Sequence, residues 1–290
     1  MPLPSPIDLK LQYYVLHLAD NALVLGHRNS EWTGHGPILE QDIALSNIAL
    51  DLVGQARYLY QYAARIMNEK AAEAMGNASG AMAGSGGVPV TEDSLAYGRD
   101  AWDFRNCLLV EQTNGDWGKT ILRQFLFSAW QYFFYEQLQQ SHDSELAAIA
   151  EKSYKEVVYH LRWSSEWVIR LGDGTEESHV RMEKALDQLW KFTGELFVPA
   201  GYEKELVAVG IAVDVEALRA SWEEKVGEVF AEAQLAWPGA MRGLTKDTAG
   251  EGAKSEWMQT GGKDGRHTEE LGYLLAEMQF LQRAYPGCEW

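Results

Sequence analysis

Two hundred and ninety residues, 46% apolar and 23% charged, give an ordinary globular composition that excludes wholesale disorder and collagen-like architecture. Twenty-five Lys and Arg against 42 Asp and Glu leave a formal net charge of −17, which repels a nucleic-acid duplex or an anionic membrane, and neither is expected as a partner. Two cysteines, Cys107 and Cys288, make neither a disulfide framework nor a zinc signature, and neither a signal segment nor a run of about 18 apolar residues occurs; a soluble cytoplasmic protein is the expectation.

Apolar residues recur at helical spacing almost throughout and period-two alternation is nearly absent, which predicts an all-α fold. A first helix fits 6–28, broken by Gly34, Gly36 and Pro37. A second, over 39–67 and roughly 40 Å long, is apolar around most of its circumference through Ile43, Leu45, Ile48, Leu50, Leu52, Val53 and Leu59, and is expected to be buried on all sides. Residues 71–90, AAEAMGNASGAMAGSGGVPV, read as a flexible Gly/Ala-rich surface insertion. A third helix is predicted over 93–111, and Asn114-Gly115 makes a turn that sets Asp116 as the next N-cap. The fourth, 117–139, is the most apolar segment, with Ile121, Leu122, Phe125, Leu126, Phe127, Trp130, Phe133 and Phe134, and is expected at the centre. A fifth, 144–171, closes on Gly172-Asp173-Gly174, and a sixth covers 176–192 with two acids in its first turn. The pattern weakens after Pro199, resumes over 214–236, and ends in a helix over 268–283 whose Leu271, Leu274, Leu275, Met278 and Leu281 share one face. No linker other than the insertion divides the chain, so residues 1–290 are read as one long antiparallel helical bundle with additional C-terminal helices.

Long bundles often hold di-iron sites, in which two helices each supply a Glu and two others each supply Glu-x-x-His. Of the seven histidines only His179 follows a Glu by three residues; Glu176 lies in a first helical turn, where a capping role is the simpler reading. On the second helix Asn47, Asp51 and Gln55 recur at i, i+4, i+8, a polar line facing the bundle interior or a partner. The first helix adds His17, Asp20 and Asn21, and the fifth adds Glu156, Tyr159 and His160. Burying such groups unpaired costs a few kcal/mol each, so they are expected to satisfy one another. Glu156 and His160 could touch one metal, but without a matching pair a hydrogen-bonded couple is the simpler reading.

The run LADNALVLGHRNSEWTGHGPILEQDIALSNIALDLVGQAR (18–57) closely resembles the structural subunits of bacterial phenylacetyl-CoA 1,2-epoxidase, the PaaC type. So do LLVEQTNGDWGKTILRQF (108–125), KEVVYHLRW (155–163), RLGDGTEESHVRM (170–182), ALDQLWKFTGELF (185–197) and GGKDGRHTEELGYLLAEMQFLQR (261–283). The resemblance implies a ferritin-like fold and a non-catalytic role in phenylacetate catabolism. It further implies a homologous di-iron catalytic subunit as partner in a heterodimer or heterotetramer, together with a reductase that passes electrons from NADPH, so that O2 epoxidises the ring of phenylacetyl-CoA. In the catalytic relatives the second helix carries Asp-Glu-x-Gly-His, of which the Glu and His bind iron. Here the matching residues are Asp51, Leu52, Val53, Gly54 and Gln55. Glu156 is kept, but Tyr159 stands at the histidine position and His160 is one residue, about 100°, out of phase. No cofactor of its own is therefore expected.

For an acyl-CoA at or near the subunit interface the candidate contacts are the start of the third helix, with Leu95, Ala96, Tyr97 and Gly98, and the segment Leu196, Phe197 and Val198, which the resemblance places near the acyl-CoA cleft. Ordinary core or interface packing of Leu95, Tyr97, Leu196 and Phe197 is the simpler reading. The loop Gly261-Gly262-Lys263-Asp264-Gly265-Arg266-His267 has the look of a phosphate cradle, with a structural turn as the simpler reading. The 11 tryptophans, Trp163 and Trp167 among them, serve a core or an interface alike. Two other functions compete: an active di-iron oxygenase using Asp51, Glu156, His160 and His17, and a free-standing acyl-CoA-binding protein.

Overall fold

Helix boundaries follow local chemistry in the computed structural model, which describes residues 6–76, 89–238 and 258–288. Helix α1 (Pro6–Glu31) turns into α2 (Leu39–Gly76) through a corner in which the Asp42 carboxylate accepts the backbone N–H groups of Gly34 (2.8 Å) and Gly36 (3.2 Å). Gly34 sits there at φ +87°, a conformation that penalises any side chain. Short helices α3 (Glu92–Tyr97) and α4 (Leu108–Glu111) follow, with a 3-10 turn at Ala101–Asp103 between them. Asp116 and Asp143 cap α5 (Trp117–Leu138) and α6 (Ser144–Gly172) by accepting first-turn N–H groups at 2.9 to 3.0 Å. Then come α7 (Glu176–Leu189), α8 (Gly201–Ala208), α9 (Arg219–Glu232), α10 (Glu269–Met278) and α11 (Phe280–Ala284).

The fold is all-α and ferritin-like. Short corners make α1 antiparallel to α2 and α5 antiparallel to α6; the long crossing between the pairs carries α3 and α4. The expected central helix is central: Ile121, Leu122, Phe125, Leu126, Phe127, Trp130 and Phe134 are buried and only Phe133 of that set is half-exposed. Helices α7 and α9 cover α5 and α6, and α8 and α10 lean on α1. Among the described residues no helix is long and apolar enough to cross a membrane.

Three expectations are corrected. The third helix is not continuous over 93–111, because α1 holds residues 98–107 out of α-helical form, with only the 3-10 turn at Ala101–Asp103 among them. Asp20 accepts the Arg105 N–H at 2.7 Å and Asn21 the Cys107 N–H at 2.7 Å, while the Nδ1–H of His17 donates to the Arg105 carbonyl at 2.6 Å. Arg99 adds its guanidinium to Asp20 and to the Asp103 carbonyl. The polar side chains of α1 thus hold a neighbouring strip of backbone rather than filling a bundle centre. Second, α7 stops at Leu189 and continues as two 3-10 turns, Trp190–Phe192 and Gly194–Phe197, and α8 forms where the pattern had weakened. Third, α2 is not buried all round. Ile43 and Leu50 are 52% and 69% exposed, because α2 packs on α1, α3 and α6 and leaves its remaining face open. Helix α2 also runs through Gly76, so residues 71–76 are helical; Val90 is anchored to Asn68 by two hydrogen bonds, and 77–88 lie outside the described residues.

Burial, then the Lys263 ammonium, holds the His17 pKa down to about 4. Because the folded value is below the unfolded value of about 6.5, stability is full above that value and falls as pH drops toward about 4. Urea unfolding at about pH 7 and pH 5 is expected to show about 2 kcal/mol of acid loss that His17→Gln removes.

Candidate functional site

The polar residues expected on α2 and α6 meet along one antiparallel seam. Lys152 Nζ donates to the Tyr58 hydroxyl at 2.9 Å, Gln55 Nε2 donates to Glu156 at 2.9 Å, and His160 Nε2 lies 3.0 Å from Asp51 Oδ2. Toward the start of α2, the Gln41 side-chain oxygen accepts both indole N–H groups, from Trp163 at 3.0 Å and Trp167 at 2.7 Å. Those indoles also stand edge-on to Trp117, so these two tryptophans are packing residues.

The line Asn47, Asp51, Gln55 crosses from surface to interior: Asn47 is exposed, the Asp51 side chain is 38% exposed, and Gln55 is buried. Gln55 is used at both ends, since its oxygen also accepts from the Tyr135 hydroxyl at 3.3 Å. Burial raises the Glu156 pKa, and the Gln55 hydrogen bond opposes that. Leu52 is fully buried among apolar neighbours, and Tyr159 points outward, with the Arg162 guanidinium 5.7 Å over its ring. A pair of iron ions requires several carboxylates and imidazoles converging on one space. This seam does not fit that group: Gln55–Glu156 and Asp51–His160 are already joined, only the buried Nδ1 of His160 is left without a partner, and among the described residues no three His, Cys, Asp or Glu side chains are grouped to hold a metal ion. His17 belongs to the α1 cluster, where it holds the Arg105 carbonyl. His179 donates from Nδ1 to the Gly172 carbonyl at 2.7 Å, a helix-end contact.

The two acyl-CoA candidate segments pack in different places. Leu95 and Ala96 are buried and Tyr97 is half-buried; Ala96 and Tyr97 help line a cavity of about 240 Å³ with Leu23, Val53, Ala56 and Tyr60. Its cation, Arg57, lies 3.8 Å from Glu92, and Gly98 is exposed beside it in sequence. Leu196 and Phe197 are core: the Trp130 indole donates to the Leu196 carbonyl at 3.1 Å and the Phe197 ring lies 5.2 Å from that of Trp222. Val198 is 47% exposed.

The glycine-rich loop spends its donors internally. Glu195 accepts the N–H groups of Gly261 and Gly262 through one oxygen and that of Leu108 through the other, each at 2.7 Å. Lys263 is buried 2.9 Å from Glu203, and Glu111 accepts from His267 at 2.8 Å and from the Thr268 N–H at 2.7 Å. Burial lowers the His267 pKa, but Glu111, the Phe104 carbonyl and Asp20 together outweigh it and the net shift is upward. These donors are unavailable to a phosphate, and the loop is the structural turn of the simpler reading. Glu111, Glu195 and Glu203 escaped sequence reasoning; the available signal was a lone acid inside an apolar run, as in LLVEQ and GELFV.

A family model described as "Phenylacetic acid catabolic protein" matches residues 5–290. The chain belongs to this family. It is 44% identical over 281 residues to an Escherichia coli (strain K12) protein named as one of the subunits of 1,2-phenylacetyl-CoA epoxidase, covering 97% of this chain and 99% of that one.

Glu195→Ala strands three buried N–H groups and is expected to lower unfolding free energy by about 3 kcal/mol or more, read from urea titration. Gln55→Leu, which leaves Glu156 without its amide donor, is expected to cost about 1–3 kcal/mol in the same assay.

Proposed function

We propose that the chain is a non-catalytic, structural subunit of a cytoplasmic phenylacetyl-CoA 1,2-epoxidase that pairs with and supports a homologous di-iron catalytic subunit. The observation that carries this reading is the seam. At the positions where the family resemblance implies an iron-binding Glu and His, this chain has Leu52, packed in the core, and Gln55, held between Tyr135 and Glu156. The match to a protein named as one subunit of an epoxidase supports the assembly. Iron, O2 and NADPH-derived electrons then belong to the other subunits, and phenylacetyl-CoA binds at or near the interface. Within such a complex this chain's residues do not exchange protons or electrons with the substrate; they keep one bundle rigid beside another.

The competing active-oxygenase reading uses Asp51, Glu156 and His160, and would have to break both seam hydrogen bonds to free its ligands. Anaerobic reconstitution of the purified chain with Fe(II), followed by desalting and metal analysis, separates the two. Iron well below one equivalent is expected, with no oxidation of phenylacetyl-CoA by the lone chain. Two equivalents of iron with turnover would overturn the proposal.

A further inference from the structure

Helix α6 presents one face to α2 as the seam, and another face, with α5 and α9, walls a cavity of about 520 Å³, a size usual for a small-molecule site. The α6 residues that line it, Val158, Leu161, Arg162, Ser165, Glu166 and Ile169, follow the i, i+3, i+4, i+7 spacing of a single helix face. The walls are largely apolar. Leu161 is buried, Ile169 and the rings of Tyr132 and Phe133 are half-buried, and Val158 is exposed. Tyr132 and Phe133 stand perpendicular with ring centroids 5.1 Å apart, so the cavity offers the face of one ring and the edge of another, the two arrangements in which a further aromatic ring packs.

One charged group of the wall is unpaired. Exposed arginines elsewhere meet a carboxylate: Arg65 lies 3.0 Å from Glu145, Arg219 3.7 Å from Glu223 and Arg283 2.8 Å from Asp100. Arg162, in a chain with 42 acids against 25 bases, has neither a carboxylate partner nor a hydrogen bond among the described residues, and its guanidinium rests over the Tyr159 ring. The acid one turn on, Glu166, also lines the cavity but lies 3.9 Å from Arg170; Lys225, the second cation in the wall, lies 3.1 Å from Glu228. Two turns back, Lys155 pairs with Glu151 at 2.9 Å. The nearest charges around the cavity are thus Arg162, Arg170 and Lys225 against Glu166 and Glu228. Of the other acids on the flanking helices, Glu136 lines the adjoining cavity that shares Phe133, Glu224 is about 100° round α9 from Lys225, and Glu232 is about 10 Å further along it, where salt screens most of its effect. Apolar walls with one uncompensated guanidinium select an apolar body carrying a single negative charge. A coenzyme A ester, with several phosphates, would find only one free cation here.

We propose that the cavity between α5, α6 and α9 binds a small aryl-carboxylate, its ring against Tyr132 and Phe133 and its carboxylate on the Arg162 guanidinium. The site does not depend on the subunit role proposed above. The test titrates phenylacetate into the purified full-length chain, followed by ligand-observed NMR. Saturable binding with a Kd of about 1 mM or tighter is expected. Phenylacetamide, with the same ring and no charge, is expected to bind about fivefold or more weakly. Arg162→Gln is expected to bring phenylacetate down to the level of the amide, and to leave the affinity for the amide and the thermal midpoint unchanged, since the Arg162 side chain is exposed and holds no partner. Val158→Trp, at an exposed position of the wall, is expected to fill the cavity and lower the binding of both compounds. Arg65→Gln removes an exposed cation that does not line the cavity and is expected to change neither affinity. The absence of saturable binding up to about 10 mM overturns the site. Equal affinity for the amide, an unchanged Kd in Arg162→Gln or undiminished binding by Val158→Trp overturns it as well. An equal loss in Arg65→Gln does the same, because the attraction is then that of surface charge in general.

Discussion

Carboxylates buried in a helical bundle are tolerable only where several donors converge on each, and this fold is organised around such places. Asp20 takes the Arg99 guanidinium, the Tyr60 hydroxyl and the Arg105 N–H; Glu111 takes Asn106, His267 and Thr268; Glu195 takes three backbone N–H groups. Each costs several kcal/mol to desolvate alone, and each is offset by charge-assisted hydrogen bonds in a low-dielectric setting. Their common effect is to give irregular backbone the partners that helices find within themselves. The strip over 98–107, the 3-10 turns after α7 and the loop over 261–268 are all held this way, so the C-terminal helices are joined to the bundle by buried polar contacts as well as apolar ones.

The α2–α6 seam obeys the same rule with a different result. A ferritin-like bundle presents a polar interior where four long helices meet, and that interior needs either an ion or internal hydrogen bonds. Here an amide takes both roles that an ion would otherwise unite: Gln55 donates to Glu156 and accepts from Tyr135. Asp51 and His160 close the next step of the seam, and Leu52 removes one polar position from the core altogether. The two helices are thereby joined through side chains of this chain alone.

The long, strongly periodic helices were legible in the sequence because period and capping agree: Asp116 and Asp143 begin α5 and α6 where the apolar pattern does. The segment over 93–111 was not, since its helical spacing of apolar residues is real but its backbone partners, Asp20 and Asn21, lie some 85 residues away in the chain. Nothing local announces that competition. The seam was half legible: spacing put Asp51 and Gln55 on one face of α2 and Glu156 with His160 on α6, but not the register that pairs 55 with 156 and 51 with 160. Glu111, Glu195 and Glu203 were invisible for the complementary reason. An acid's burial is set by the donors that surround it, and those come from other elements.

The misreading of α2 has a physical source that bears on function. A helix apolar on all sides is one that two surfaces compete to cover, and the sequence does not say whether both belong to the same chain. Ordinary folding pressure accounts for Leu45, Ile48, Leu52 and Leu59, all fully buried; it does not account for Leu39, Ile43 and Leu50, which gain nothing from the monomer and add an aggregation hazard to an otherwise highly charged surface. Polar residues at those three positions would serve an isolated bundle better. This exposed apolar row sits on the same helix whose inner side carries the amide-filled seam. One long helix thus has an inner face committed to its own bundle and an outer apolar row that the bundle leaves uncovered.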